Sequence, residues 1–360
     1  MGSFLSKNEF PVDGRTVLIT GGSKGLGLNA ARQLAEKGAH VIIVARDAGH
    51  LQQGIAFVSK GARSPDVQRF HHISADVTSA AECARVVAEA VEWNHGSPPD
   101  IVWCCSGSAH PSLFVDTPLP QFQTMMDSNY FSSVYMAHAV LSVWLKNTSS
   151  LSSSSSSPAK TAAIDDGTEE KQHDSAASDA EAKPPARHII FTGSFVSFYS
   201  FTGFAPYAPS KAAVRSLADS LSQEMNLYAT ALPHEPRVRV HAVFPATMPT
   251  QSLDDENAVK TDVTKALEEG DQILDPAECA RRAIAGLERG LELVPTSAII
   301  RLVMTSVLGG TIRGGFWRGC VDTVLGWLTM VVMVFIRWEM DVKVARWGRE
   351  NGVSGMKKDR

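Results

Sequence analysis

No two of the five cysteines stand at C-x-x-C spacing, no basic stripe runs along the chain, and the net charge is only −4. Without C-x-x-C pairs the common zinc and dithiol motifs are excluded. Cys104 and Cys105 are adjacent, and neighbouring strand residues point to opposite faces, so they make a poor metal clamp. With Cys83, Cys279 and Cys320 they read as small buried hydrophobes of a reducing compartment. His71 and His72 are adjacent too and read as strand residues rather than ligands. A mild charge with no basic clustering argues against a nucleic-acid partner. The opening M-G-S-F-L-S-K-N-E-F-P-V-D-G, residues 1–14, has no apolar h-region, so no secretory signal peptide is expected. Gly2 followed by Ser6 is a loose match to the myristoylation pattern.

What is present is apolar: 44% of 360 residues, enough for one large domain with additions or for two. From Arg15 onward, apolar runs of strand length alternate with helical patterns. R-T-V-L-I-T-G reads as a buried strand, L-N-A-A-R-Q-L-A-E-K-G as a helix stopped by Gly38, and H-V-I-I-V-A-R as a second strand. The alternation continues through H-H-I-S-A-D-V, a helix near Glu82 to Trp93, I-V-W-C-C-S-G, and a helix near Phe122 to Leu145. It resumes with R-H-I-I-F-T-G-S, a helix after Tyr207, and R-V-R-V-H-A-V-F-P. The pattern predicts an α/β, Rossmann-type, doubly wound parallel sheet of seven strands over residues 15–290, with helices on both faces. Residues 147–185, a serine tract followed by alternating charges and K-P-P-A, have almost no large apolar side chains. They read as a disordered surface insert, with a phospho-regulated tether as the functional alternative.

Residues 291–340 change character. Leu291 to Leu308 is largely apolar, and Val321 to Ile336 carries Asp322 as its only charge. Both are short for a spanning helix, which needs about 20 residues. Trp317, Trp327, Trp338 and Trp347 suit an interfacial belt. A membrane hairpin or interfacial pair is expected, with helices buried on the core as the alternative. Residues 341–360 form a basic tail ending K-K-D-R, which resembles a dilysine retrieval signal of the endoplasmic reticulum and would lie in the cytosol.

T-G-G-S-K-G-L-G, Thr20 to Gly27, joins the first strand to the first helix. Gly21 suits a tight turn, while Gly25 and Gly27 permit close backbone approach. Ser23, Lys24 and Leu26 complete a turn whose helix N-terminus offers free amides to a pyrophosphate. The second strand ends V-A-R-D, so Arg46 stands where a 2′-phosphate would sit, and Lys24 adds a second cation. Arginine suits bidentate phosphate contact, which favours NADPH over NADH although Asp47 follows. Tyr207 and Lys211 are one helical turn apart. An ammonium beside a phenol should lower its pKa and fit it to protonate a ketone oxygen.

The spacing G-x-x-x-G-x-G, with the residues that follow, resembles the short-chain dehydrogenase/reductase family. Asp76 and Val77 match the adenine-contacting pair, Asn129 the helix asparagine, and Ser194, Tyr207 and Lys211 the catalytic residues. Pro245 to Thr250 matches the loop that touches nicotinamide and phosphate, and Gly107 the glycine after the fourth strand. The resemblance implies that Ser194 holds the carbonyl oxygen, Lys211 bonds the nicotinamide ribose and Asn129 holds a relay water. Two departures stand out: C-C-S-G replaces an asparagine motif, putting Cys104 at the asparagine's position, and Ala246 follows Pro245 where glycine is usual. Phe195, Phe198, Phe201 and Phe204 form an aromatic run between the catalytic residues, either core or a slot for a bulky lipid. C-C-S-G, the Y-A-P-S-K block and the apolar C-terminal region are together similar to the 3-ketodihydrosphingosine reductases. That similarity implies NADPH-dependent reduction of 3-ketosphinganine, a long-chain sphingoid ketone, at the endoplasmic reticulum membrane. A reductase of a steroid, retinoid or long-chain acyl ketone, or an NADPH-binding scaffold, remains as an alternative reading, and a homo-oligomer is left open.

Overall fold

The computed structural model describes residues 8–146, 184–309, 315–353 and 355–357. Residues 147–183 of the serine insert, Gly2 and most of K-K-D-R lie outside the described residues. Seven strands form one parallel sheet in the order β3-β2-β1-β4-β5-β6-β7. They are β1 Thr16–Thr20, β2 His40–Ala45, β3 Phe70–Ser74, β4 Ile101–Cys104, β5 Arg187–Thr192, β6 Val238–Phe244 and β7 Leu293–Pro295. The central strands are near-continuous apolar runs because helices cover both faces. Val17, Leu18, Ile19, Ile42, Ile43, Ile189 and Ile190 are fully buried.

The helices are α1 Gly25–Glu36, α2 Ala48–Ser59, α3 Ala80–Trp93, α4 Leu119–Met126, α5 Ser132–Lys146 and α6 Ala208–Ala231. Beyond them come α7 Gln251–Val259, α8 Asp262–Leu267, α9 Pro276–Glu288, α10 Ala298–Val307 and α11 Phe316–Asn351. The strand order reverses between β1 and β4, and there the chain ends of both strands open a crevice. Helices α4 and α5 are one run with a wider π turn, Asp127–Phe131, set between them. The hydroxyls of Ser132 and Ser133 donate to the carbonyls of Ser128 and Asn129 at 2.7 and 3.0 Å, taking up groups the wider turn frees.

The sheet continues past residue 290. Strand β7 pairs with β6 at Ala242↔Leu293, and Ile300, Val303, Met304 and Leu308 are buried behind it. The first apolar run is therefore a strand and a short helix of the core. Only α11 among the described residues is long and apolar enough to cross a membrane, and little of its apolar stretch is buried. It crosses α10 closely at Gly326, where a Cβ would stand 2.7 Å from the Thr305 carbonyl oxygen. Past α11 the chain returns to the body: the Val263 amide donates to the Gly355 carbonyl at 2.9 Å, and Gly355 abuts Leu113.

At the far end of the sheet His188 and His241 are buried together. The His241 Nδ1 donates to the Leu291 carbonyl at 2.7 Å, so its Nε2 accepts from His188 Nδ1 at 3.0 Å. That leaves His188 Nε2 as a buried acceptor without a hydrogen-bond partner among the described residues, and both rings are neutral. Burial pushes the His241 pKa down to about 4, with Arg239 acting the same way and the Leu291 bond opposing. A depressed folded-state pKa gives stability that is complete above the unfolded value near 6.5 and lost as pH falls towards 4. For His241 alone this is worth about 3 kcal/mol. The denaturant midpoint should fall measurably between pH 6.5 and 5, before carboxylates titrate, and a flat midpoint there would contradict the neutral pair.

Candidate active site

The glycine turn is shaped by what its residues lack. Gly21 and Gly25 adopt positive φ, +67° and +54°. A Cβ on Gly21 would stand 2.8 Å from the Ser106 amide, and one on Gly27 would run into the Gly21 carbonyl. Beside Gly25 only the Thr250 methyl comes close, 3.6 Å from where a Cβ would be. Space remains above the first turn of α1, whose amides point along the dipole towards it. Ser23 and Lys24 lead into that helix, Lys24 exposed as its N-cap residue, and Leu26 is buried beneath. Thr250 in turn is the N-cap residue of α7, so the loop from Pro245 reaches the glycine turn.

Arg46 is exposed just after β2. Asp47 is committed elsewhere: its carboxylate caps α2, accepting from the His50 amide at 2.7 Å. Asp76 accepts from the Thr78 amide and hydroxyl at 3.0 and 2.8 Å. Burial would raise its pKa, but these bonds and the nearby Arg46 hold it below the ordinary value. Val77 beside it is buried. The residue types fit a nicotinamide dinucleotide: an open glycine turn for the pyrophosphate, cations at the β2 edge, and a carboxylate further along.

The catalytic candidates meet at the carboxyl ends of β4 and β5. Ser194 follows β5, and its amide donates to the Ser197 hydroxyl at 3.1 Å. The Ser197 hydroxyl in turn donates to the Lys211 carbonyl at 3.0 Å, tying the serine turn to α6. Tyr207 is the N-cap residue of α6 and Lys211 lies one turn along. Lys211 is 5% exposed, and its Nζ donates to the Thr192 carbonyl at 2.9 Å. Burial pulls its pKa down to about 8.

The phenol does not behave as expected from the sequence. Burial pushes the Tyr207 hydroxyl above its ordinary value, with Ser194 favouring ionisation and Glu256 opposing it. The Lys211 ammonium, 5.9 Å from the ring centroid, is aimed at the Thr192 carbonyl instead. Desolvation therefore outweighs the neighbouring cation in the protein alone.

Asn129 is 1% exposed and works as a clamp. Its Nδ2 donates to the carbonyls of Ser108 and Met125 at 2.9 and 3.0 Å, and its Oδ1 accepts from the Ser108 amide at 3.1 Å. Both amide protons are thus used on backbone. Gly107 lies between Asn129 and Lys211, where an added Cβ would strike the Asn129 oxygen and stand 3.3 Å from Lys211 Nζ. Cys104 fills its position by packing, 2% exposed in register between Thr20 and Phe191. Ala246 needs no glycine: among the described residues His95 is the one non-glycine at positive φ. The Ala246 amide donates to the Thr296 hydroxyl at 2.9 Å. The sequence reading missed Thr192, Ser197 and the π turn that carries Asn129. The closely spaced serines of residues 128–133 were the available signal for the turn.

A sheet that reverses at a glycine turn, with a serine, tyrosine and lysine at its carboxyl edge, defines a nucleotide-dependent oxidoreductase fold. The chain belongs to the short-chain dehydrogenase/reductase family: the sequence model described as short chain dehydrogenase matches residues 15–157 and 177–261. Within it, the chain is 39% identical over 353 residues to a protein of Aspergillus fumigatus named 3-ketodihydrosphingosine reductase ksrA, covering 96% of this chain and 88% of that one. It is 38% identical to the 3-ketodihydrosphingosine reductase gsl-3 of Neurospora crassa, covering 98% and 87%. A solved short chain dehydrogenase/reductase from Burkholderia phymatum, in complex with NAD, shares the fold at a TM-score of 0.60 and 17% identity, over 81% of this chain and 94% of that one.

Proposed function

We propose that this protein reduces 3-ketosphinganine to sphinganine with NADPH, on the cytosolic side of the endoplasmic reticulum membrane. The observation that carries the reading is the full-length similarity to two proteins named 3-ketodihydrosphingosine reductase. The bound cofactor would supply the hydride. It would be held by the turn from Gly21 to Gly27, by Asp76 and Val77 at the adenine, and by Gly107, Pro245 and Thr250 near the nicotinamide. Arg46 and Lys24 would take the 2′-phosphate, since both are exposed cations and Asp47 is already engaged by α2.

In the proposed reaction the Ser194 hydroxyl donates to the ketone oxygen and holds it beside Tyr207. The phenol gives its proton to that oxygen. Lys211, with a pKa drawn down to about 8, sits at the edge of proton exchange at neutral pH and restores the phenol. Asn129 holds the Ser108 backbone in place beside Gly107, and a relay water at Asn129 would have to donate to it, since both of its side-chain amide protons are engaged. The proposed layout is a catalytic domain ending with α10, and α11 as the membrane-associated segment.

Purified full-length protein should oxidise NADPH on addition of 3-ketosphinganine and form sphinganine, identified by mass. NADH should serve at least about tenfold less well, and Arg46→Ala should erase most of that difference by removing a charge-assisted contact. Turnover of a steroid or retinoid ketone in preference to 3-ketosphinganine would overturn the substrate, and an unchanged preference in Arg46→Ala would overturn the cofactor.

A further inference from the structure

A cavity of about 430 Å3 lies between the loop joining Ser194 to Tyr207 and the last third of α11. Leu113 and Phe114 form one wall, Tyr199 and Phe201 the floor, and Met340 and Val344 of α11 the outer wall. Its size is in the range of small-molecule sites, about 300–1,000 Å3. Neither Phe204 nor Tyr207 lines the cavity, but packed rings connect its floor to Tyr207. Tyr199 stacks on Phe201 at 6.4 Å, Phe201 meets Phe204 edge-on at 4.8 Å, and Phe204 lies 6.1 Å from Tyr207.

The outer wall is the informative part. Apart from Asp322, residues 321–336 of α11 carry no charge and are mostly exposed, with Val324, Leu328, Val331 and Phe335 at 61–66%. From Arg337 the same helix turns polar, and Arg337 pairs with Asp341 at 3.0 Å while both line the cavity. With α11 inserted in a bilayer, this change from apolar to charged would fall at the bilayer edge. The cavity therefore lies at the depth where a lipid's chain meets its polar head.

We propose that this cavity holds the hydrocarbon chain of the lipid ketone, so that α11 is both the membrane anchor and one wall of the substrate site. The polar head lies towards Tyr207, and the chain runs back along the ring ladder to the bilayer side. The inference rests on the lipid-ketone reading above but is tested separately from it.

Full-length protein in lipid nanodiscs is incubated with an eighteen-carbon 2-amino-3-ketone carrying a diazirine at its chain end, irradiated and mapped by mass. Adducts at residues 113–115, 199–201 or 337–344 are expected, and adducts confined to other parts of the chain would overturn the proposal. In Met340→Trp the ratio of kcat/KM for eighteen-carbon over six-carbon ketone should fall about tenfold or more, because the chain loses its room. An unchanged ratio, with cofactor binding intact, would also overturn it. If the native protein reduces neither ketone, the activity reading fails, and the adduct map still decides where the chain sits.

Discussion

Tyr207→Phe should lose turnover by about 10²–10⁴-fold while keeping its fold and its cofactor affinity, since a positioned general acid contributes that much. The substitution removes one hydroxyl from a ring that otherwise packs on Phe204, so the melting temperature should move little. The test is single-turnover kinetics beside cofactor titration. Loss of both together would point to misfolding, and substantial residual turnover would remove Tyr207 as the proton donor. The phenol's raised pKa sharpens the expectation. A protonated tyrosine is the form that reduction needs, and burial guarantees that form throughout neutral pH. The activity limb should therefore follow Lys211, with reduction falling as pH rises through about 8.

The second large effect concerns α11. Replacing Val324, Leu328, Val331 and Phe335 by asparagine, in the full chain, should move the protein from the membrane pellet to the supernatant after ultracentrifugation. These four are exposed, follow one face of the helix at helical spacing, and together bury several kcal/mol of apolar surface when inserted. Ending the chain at residue 309 should do the same. Ending it at 291 should not give a soluble enzyme, because β7 and the buried face of α10 are then missing from the core. A quadruple variant that still sediments with membranes would show that α11 is not the anchor.

How much of this was readable in the sequence follows from the range of the interactions. Parallel strands buried on both sides are apolar runs, so β1, β2, β4, β5 and β6 stood out as such, while the edge strand β3 followed from its place in the alternation. The glycine turn and the Tyr207–Lys211 pair stood out through local spacing, whereas Ser194 was named only through the family resemblance. Strand β7 is three residues long and sits inside an apolar stretch that also makes α10, so nothing in its pattern separates it from an apolar helix. The Lys211 bond to Thr192 joins residues 19 apart through the fold, and depth of burial, which sets the phenol's acidity, is written in no local spacing. The same holds for Asn129, whose amide looked free for solvent until Ser108 and Met125 were placed around it.

Gly355 and Lys357 are fastened to the start of α8, through the amide of Val263 and the carboxylate of Asp262. Anything fused to that end of the polypeptide would tug on α8, and through it on the Thr202 carbonyl that Thr264 holds in the loop before Tyr207. Affinity handles and fluorescent reporters belong at the opposite terminus, and a carboxyl-terminal label that depresses turnover would be reporting this mechanical linkage.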